Sequence, residues 1–294
     1  MMRWVIYLVV ALCVSSCHLT PKRGEVKSEQ VEVKSVDSEA KFNRYITTYW
    51  YGFDFRDTIN LRPETIERPF ARYLTALPQA TDSVRQIAIT SLLDSAAVNP
   101  ISLRHIISLS EKYLYEPSSP VRHEQLYIDI LNAIIAQPSL DEYEKIRPKY
   151  QLTALLKNQQ SQLATPFEIT LRDGSSISLH SIEAEYILLL FNNPECAECQ
   201  EVKKVIIKNK KLLNQKGVLV VAVYPDSDLK AWLSESYPND WVNGYCRELS
   251  DGELYHLQAI PTIYLLDSQK RVVLKDASIE EIFSIMNYEL LLMR

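Results

Sequence analysis

The first half of the chain has the hydrophobic spacing of amphipathic helices. Between about residue 41 and residue 160, apolar positions recur every three or four residues, which places them on one face of a helix. Two segments show this spacing most clearly: Leu103, Ile106, Ile107 and Ser110 in one, and Tyr127, Ile130, Leu131 and Ile134 in the other. We expect five or six helices of about 12 to 18 residues, packed as a compact helical domain.

Two short patterns predict where helices in this half begin. Ser119-Pro120 fits an N-cap followed by proline at the first helical position, and Ser139 with Glu142 fits a capping box. The aromatic run from Tyr49 to Phe55 is a possible ligand surface. Packing is the better interpretation, because aromatic side chains supply much of the buried area in small domains.

After about residue 165 the pattern changes to alternation and short apolar runs. Residues 167–171 and 176–179 flank Asp173-Gly174 and predict a β-hairpin. Further segments follow in the order strand, helix, strand, helix, strand, strand, helix: 186–191, 197–214, 218–223, 227–236, 262–266, 272–274 and from about 278. The pattern predicts a central mixed sheet covered on both faces, and an α+β chain overall.

The first residues, MMRWVIYLVVALCVSSC, have a cationic start and an apolar run too short to span a bilayer, as in a secretory signal. Val14-Ser15-Ser16-Cys17 resembles the lipobox of bacterial lipoproteins, in which Cys17 would carry the lipid. We therefore expect a signal peptide at 1–16, a polar flexible tether at 17–40, a helical domain at 41–160 and a second domain at 161–294.

Composition excludes some classes of function. The chain has 294 residues, 47% hydrophobic residues and a formal charge of −5, so it can bury a large core. It has no long basic block, and nucleic acid is therefore not expected as a partner. The expected location is the cell envelope, at the outer membrane facing the periplasm, with the lipid as the only membrane anchor.

The motif Cys196-Ala197-Glu198-Cys199 lies between a predicted buried strand and a predicted helix. The N–H groups and dipole of a helix start stabilise a thiolate, so we assign Cys196 as the nucleophile. Cys199, one turn later, could resolve a mixed disulfide. Glu195 and Glu198 would tune the pKa of the nucleophile, because a carboxylate about 7 Å away disfavours a thiolate by roughly 1 kcal/mol. Because the carboxylates oppose the stabilisation of the thiolate, we hypothesise that the protein acts as a reductase.

These features resemble the thioredoxin fold, in which a strand, a C-x-x-C motif and a helix are followed by a cis proline. Ala259-Ile260-Pro261-Thr262 matches the proline segment. The resemblance implies that Pro261 is cis and faces the dithiol, and that Ile260 and Pro261 bind the substrate backbone. The added hairpin is similar to the TlpA-like branch of periplasmic thioredoxins. One departure is Leu190, which stands where thioredoxin has a buried acid, leaving water or Glu198 as the proton acceptor.

The resemblance extends over nearly the whole chain. Residues 116–122, 145–151, 191–196 and 263–267 resemble a family of gut-bacterial lipoproteins that join a helical domain of unknown function to a thioredoxin-like domain. It implies a thiol–disulfide oxidoreductase that acts on exported proteins with cysteines, is recharged by an unidentified electron donor and uses its own dithiol without a further cofactor. A binding or scaffold protein with a thioredoxin-like docking module is the alternative.

Other interpretations of the cysteines are open. Zinc needs about four ligands, and no second Cys or His pair lies nearby in sequence, so no metal is expected. A static disulfide between Cys196 and Cys199 is a further alternative. For Cys246 a small buried residue is preferred over a third redox thiol. His256 is predicted to be a surface or packing residue, since its spacing does not match that of a copper chaperone.

Overall fold

The computed structural model of the protein describes residues 28–226, 229–250 and 254–292. The predicted signal peptide and Cys17 lie outside the described residues. The chain divides into two units after Tyr45. No helix within the described ranges is both long enough and apolar enough to cross a membrane.

Helix α1 runs from Ser28 to Thr47, so the structure differs from the predicted flexible tether, which extended to residue 40. Its sequence, SEQVEVKSVDSEAKFNRYIT, alternates charges that favour a helix even without a core stripe. Asp37 and Lys41 form an i, i+4 ion pair at 2.7 Å on the exposed surface. The polar composition predicted a flexible tether, whereas these residues have good helix propensity.

Five more helices complete the helical half. They are α2 (Pro63–Ala76), α3 (Asp82–Ala96), α4 (Pro100–Leu114), α5 (Glu124–Ala136) and α6 (Ile146–Leu155). The predicted stripe on α5 is buried, with Tyr127, Ile130, Leu131 and Ile134 each at most 2% exposed. The aromatic run packs as expected: Trp50 and Phe55 are buried among other rings, although Tyr51 remains exposed.

Both predicted helix starts in this half were wrong. Helix α5 is capped by His123, whose Nδ1 accepts from the Leu126 N–H at 3.2 Å. Ser119 instead donates its hydroxyl to the carbonyl of Tyr113, which closes the preceding helix end. The reciprocal bonds expected for Ser139 and Glu142 form two residues later, between Asp141 and Glu144, in the turn before α6. Several neighbouring side chains can hydrogen-bond to the backbone groups of these turns, and only some of them do so.

The second half contains seven strands and four helices in the described residues. They are β1 (Glu168–Leu171), β2 (Ser176–Ser178), β3 (Tyr186–Phe191), α7 (Ala197–Lys208), α8 (Lys210–Gln215), β4 (Val218–Tyr224), α9 (Leu229–Ser234), β5 (Val242–Tyr245), β6 (Thr262–Asp267), β7 (Val272–Leu274) and α10 (Ile279–Leu292). The predicted helix at 197–214 is interrupted at Asn209, which separates α7 from α8.

The strands form one mixed sheet in the order β2-β1-β5-β4-β3-β6-β7. The predicted hairpin is present, with Gly174 at a φ of 84° in its turn, a conformation that favours glycine. Strand β3 is parallel to β4 and antiparallel to β6. Alternate β3 residues enter two cores, with Leu189 and Phe191 on one face and Leu188 and Leu190 on the other, so both faces are covered.

The segment between the helical and sheet halves pairs with the sheet edge. The N–H of Ser161 donates to the carbonyl of Val272 at 2.7 Å, and the N–H of Ala164 donates to the carbonyl of Lys270 at 2.9 Å. Asn158 adds side-chain bonds to Leu254 and to the N–H of Thr165. The helical and sheet halves therefore share one compact unit from Ile46 onward.

Candidate functional site

The two cysteines of the motif lie where β3 ends and α7 begins. The turn between β3 and α7 is closed by Asn193, whose side-chain oxygen accepts from the Glu195 N–H at 2.9 Å. The Asn193 carbonyl accepts from the N–H of Cys196 at 3.1 Å. These bonds place Cys196 at the N-cap of α7, as the sequence predicts for the nucleophile.

Cys196 is partly exposed, and its sulfur accepts from the N–H of Cys199 at 3.2 Å. This is an unpaired donor of the first helical turn, aimed at the sulfur. A negative charge on the Cys196 sulfur would meet both this N–H group and the positive end of the helix dipole. The arrangement suits a sulfur that attacks a disulfide from outside.

Cys199 is buried, at 3% exposure, and lies one turn along α7. Burial, followed by the hydrogen bond with the Cys196 thiol, raises the pKa of Cys199 to about 12. The N–H of Asn193 is 3.5 Å from its sulfur. Cys199 therefore keeps its proton at neutral pH and is inaccessible to a large substrate, which fits a resolving thiol rather than the attacking one.

The proline segment meets the dithiol at the adjacent edge of the sheet. Phe191 at the end of β3 pairs with Thr262 at the start of β6, so the residues just before β6 face the motif. The Ile260–Pro261 peptide bond is cis, as the resemblance implied. The Cys196 thiol donates to the Ile260 carbonyl at 3.4 Å, which joins positions 64 residues apart.

The two predicted tuning carboxylates, Glu195 and Glu198, are both exposed. Solvent screens exposed charges, so their effect on the nucleophile is weaker than a buried acid would give. Leu190 is 1% exposed inside the core, and the position of thioredoxin's buried acid is therefore apolar in this chain. The tuning role stays a prediction.

A buried polar pair near the motif was not predicted from the sequence. Asn192 is 4% exposed, and its side-chain oxygen accepts from the Tyr237 hydroxyl at 2.7 Å. Burial raises the pKa of Tyr237 well above its usual value, and the neighbouring Glu235 carboxylate adds to the shift. The phenol therefore stays neutral and fixes Asn192. Neither residue belongs to a local motif, since they are 45 positions apart.

The remaining candidate residues have packing roles. Cys246 is 4% exposed within the core on one face of the sheet, which agrees with the preferred interpretation. His256 stacks on Tyr115 of the helical half, with ring centroids 5.5 Å apart and 20° between planes. None of the three described cysteines forms a disulfide. In the described ranges, no group of three or more His, Cys, Asp or Glu side chains could hold a metal ion.

Comparison with known proteins gives the same two parts. Residues 21–158 match the model of a domain of unknown function (DUF5106). A thioredoxin-like protein from Bacteroides caccae is 35% identical, with 85% of this chain and 93% of that chain covered and a TM-score of 0.77. The chain belongs to this thioredoxin-like family with an N-terminal helical domain. Its fold, a helical region followed by a thioredoxin-like sheet, is as predicted.

Two further solved structures each cover less than half of this chain. The C-terminal domain of an uncharacterized protein from Bacteroides fragilis is 34% identical, with 44% of this chain and 98% of that chain covered and a TM-score of 0.43. The thioredoxin domain of a thiol-disulfide oxidoreductase from Bacteroides vulgatus is 20% identical, with 44% and 96% covered and a TM-score of 0.40. No curated protein matches the chain significantly.

The high pKa of Cys199 predicts a loss of stability in alkaline solution. The folded protein holds this proton to about pH 12, whereas the unfolded chain releases it near pH 8.5. The stabilisation is complete below pH 8.5 and is lost as pH rises towards 12, because the unfolded state ionises first. Between about pH 8.5 and pH 10, the free energy of unfolding of the reduced protein should fall by about 1 kcal/mol per pH unit more than that of Cys199→Ala.

Urea unfolding at several pH values, with reductant present, measures this difference. The comparison with Cys199→Ala cancels groups common to both proteins, including Cys246. Above about pH 10 the unfolded chain also loses tyrosine protons, so the test is confined to lower pH. Equal pH slopes in the two proteins would contradict the prediction.

Proposed function

We propose that this thioredoxin-like protein is a thiol–disulfide oxidoreductase of the cell envelope that works as a reductase on exported proteins with cysteines. The observation that carries the proposal is the geometry of three residues. A partly exposed Cys196 at a helix N-cap lies 3.4 Å from the Ile260 carbonyl, and the buried Cys199 follows one turn later. Thiol–disulfide exchange needs an accessible attacking sulfur and a protected second sulfur.

The proposed reaction proceeds in two exchanges. The Cys196 thiolate attacks one sulfur of a substrate disulfide, a mixed disulfide forms, and the other substrate sulfur leaves as a thiolate. Cys199 then attacks the Cys196 sulfur, which releases the second substrate thiol and leaves a Cys196–Cys199 disulfide. Two electrons pass to the substrate, and a donor dithiol of unidentified origin must return them. Ile260 and Pro261 would hold the substrate backbone beside the sulfur.

The proton of Cys199 must leave before the second exchange. Thioredoxin's buried acid is replaced by Leu190, and the nearby Tyr237 phenol stays neutral. This leaves water or the exposed Glu198 as the acceptor. We expect a slow second exchange, because the high pKa of Cys199 limits its thiolate fraction.

The reduction potential of the Cys196–Cys199 pair tests the reaction. The purified chain lacking residues 1 to 17 is equilibrated in glutathione or dithiothreitol buffers, and alkylation is read as a mass shift. We expect a reversible two-electron transition near or below about −200 mV, in the range of reductases and isomerases. A pair that never cycles under native conditions would contradict the proposal and favour the binding or scaffold alternative.

The location at the outer membrane is proposed from the sequence, and it depends on a lipid attached to Cys17. We expect the full chain to fractionate with outer membranes through a lipid on Cys17, and Cys17→Ser to lose that association because no acyl chain remains. Membrane fractionation with and without the substitution measures this. Ser16→Ala is the matched control, since it leaves the acceptor sulfur in place. Membrane association of Cys17→Ser equal to that of the control would contradict the anchor.

A further inference from the structure

A groove with a volume of about 480 Å³ lies next to the proposed dithiol site and is walled by both halves of the chain. Asn193 and Ile260 form the wall nearest the dithiol, and Ile260 is the residue whose carbonyl contacts Cys196. The far wall is Tyr115 and Tyr150 of the helical half. A side chain that fills the groove therefore lies close to the sulfur that attacks.

The wall from the helical half is held in place by contacts with the sheet half. The Tyr115 hydroxyl and Nε2 of His256 are 3.0 Å apart, and the two rings stack. Burial is the main cause that lowers the pKa of His256, so the ring is neutral at pH 7 and the contact carries no net charge. The groove therefore combines aromatic and apolar side chains with polar groups, among them the carboxylate of Asp226.

Exposed apolar side chains continue from the groove along the start of α6 and into the turn before it. Tyr143, Ile146 and Tyr150 have positions i, i+3 and i+7, and are 82%, 59% and 66% exposed. We call these three residues the α6 stripe. Arg147, between them in sequence, forms an ion pair with Glu111. Ile146 and Tyr150 lie one turn apart on α6, and Tyr143 lies in the turn before it. Neighbouring large apolar side chains that stay exposed are characteristic of an interaction surface.

We propose that the groove and the α6 stripe bind an extended segment of the disulfide-containing substrate, with an aromatic side chain near the reactive cysteine seated against Tyr150. This inference rests on the proposed function and specifies its substrate class. A small disulfide bound at Cys196 would reach only the groove. Tyr150 lines the groove, whereas Ile146 lies one helical turn, about 6 Å along the helix axis, from Tyr150. Contact with the whole stripe requires a polypeptide.

The charge around the site favours a neutral or basic segment. Glu195 and Glu198 are exposed on either side of Cys196, so an acidic segment would be repelled there. The α6 stripe itself is uncharged. The bound segment would therefore combine an aromatic residue with few acidic neighbours, which distinguishes it from an acidic partner or an anionic surface.

Peptides with a chromogenic leaving group test this docking separately from the redox chemistry. Each ten-residue peptide has one cysteine in a disulfide with thionitrobenzoate, and either tyrosine or alanine within three residues of that cysteine. The Cys196 thiolate of the full-length Cys199→Ser variant attacks the peptide sulfur, the Cys196–peptide disulfide forms, and thionitrobenzoate leaves as a coloured thiolate. The measured quantity is the ratio of second-order rate constants for the tyrosine and alanine peptides.

We expect the tyrosine peptide to react about fivefold to tenfold faster than the alanine peptide. Tyr150→Ala, added to the Cys199→Ser background, should reduce this ratio towards one. Ile146→Ser in the same background should slow both peptides, because Ile146 contacts the rest of the bound segment. Tyr51→Ala and Ile87→Ser are matched controls on the helical half, with 72% and 59% exposure, and should keep the ratio. The controls exclude a general effect of removing surface apolar area.

The outcomes separate the two proposals. A protein that releases thionitrobenzoate from neither peptide contradicts the proposed function, and with it the docking inference. A protein that reacts with both peptides at the same rate supports an attacking Cys196 and overturns docking alone. Equal loss of the ratio in Tyr150→Ala and in the control variants would also overturn it, because the α6 stripe would then have no specific role.

Discussion

Replacing Cys199 by serine is expected to stop turnover while the attack by Cys196 continues, so the protein accumulates in covalent mixed disulfides with its substrates. The partly exposed Cys196 keeps its position at the N-cap of α7, since serine at the buried position is nearly isosteric. The second exchange cannot occur without a resolving sulfur. Turnover should fall below about one thousandth of the wild-type value.

Turnover is measured as the release of both substrate thiols by the pre-reduced protein with no external thiol present, because dithiothreitol would itself cleave the mixed disulfide. Adducts are detected by mass after alkylation under non-reducing conditions. Cys196→Ser is the paired variant, which should lose turnover and form no adducts because it has no attacking sulfur. Cys246→Ser is the control for a cysteine outside the motif, buried in the sheet core. Adducts on Cys196→Ser, or full turnover by Cys199→Ser, would contradict the assigned roles.

Most of the sheet half was predictable because its signals are local, although β5 was not predicted. Continuous apolar runs predicted the buried β3 and β4, whose side chains enter cores on both faces of the sheet. Asp173-Gly174 predicted the hairpin turn, since glycine adopts the positive φ that the turn requires. The dithiol at a strand-to-helix junction followed from the same pattern, and the resemblance added the cis proline.

The helical half was predictable in kind but less so in its boundaries. Hydrophobic spacing identified the buried stripe on α5, because a 3.6-residue period is independent of how a helix begins. The helix starts depended on which polar side chain wins a short-range competition. His123 caps α5, and Asp141 takes the position expected for Ser139. Such competitions are decided by turn geometry that the sequence does not display.

The groove could not be predicted from the sequence. Its walls bring together Tyr115 and His256, which are 141 positions apart, and Tyr150 and Ile260, which come from different halves. Tyr115 and Tyr150 have the ordinary spacing of helix residues, so no motif distinguishes them. Only the packing of α4 and α6 against the sheet half shows that they face the segment beside the cis proline.

Replacing Lys275 by methionine is expected to destabilise the compact unit by about 2 to 4 kcal/mol. The lysine side chain is 8% exposed, and its Nζ donates to the carbonyls of Leu155 and Lys157 at 2.6 Å and 2.9 Å. It also pairs with Glu124 at 3.0 Å. Methionine fills a similar volume but supplies no donor, so the two carbonyls and Glu124 lose their partner. The substitution also removes the cost of burying the charge, which lowers the pKa of Lys275, and this gain offsets part of the loss.

Urea unfolding of the two proteins at neutral pH measures the change. Lys204→Met is the matched control, because Lys204 is 69% exposed in a surface ion pair with Glu201 and should change stability by less than about 0.5 kcal/mol. Gln159 also donates to Glu124, which keeps the expected loss below that of a fully isolated charge. Equal stability of Lys275→Met and the control would contradict the prediction. A large loss would show that the contacts of Lys275 stabilise the junction of the helical and sheet halves, and with it the wall formed by Tyr115 and Tyr150.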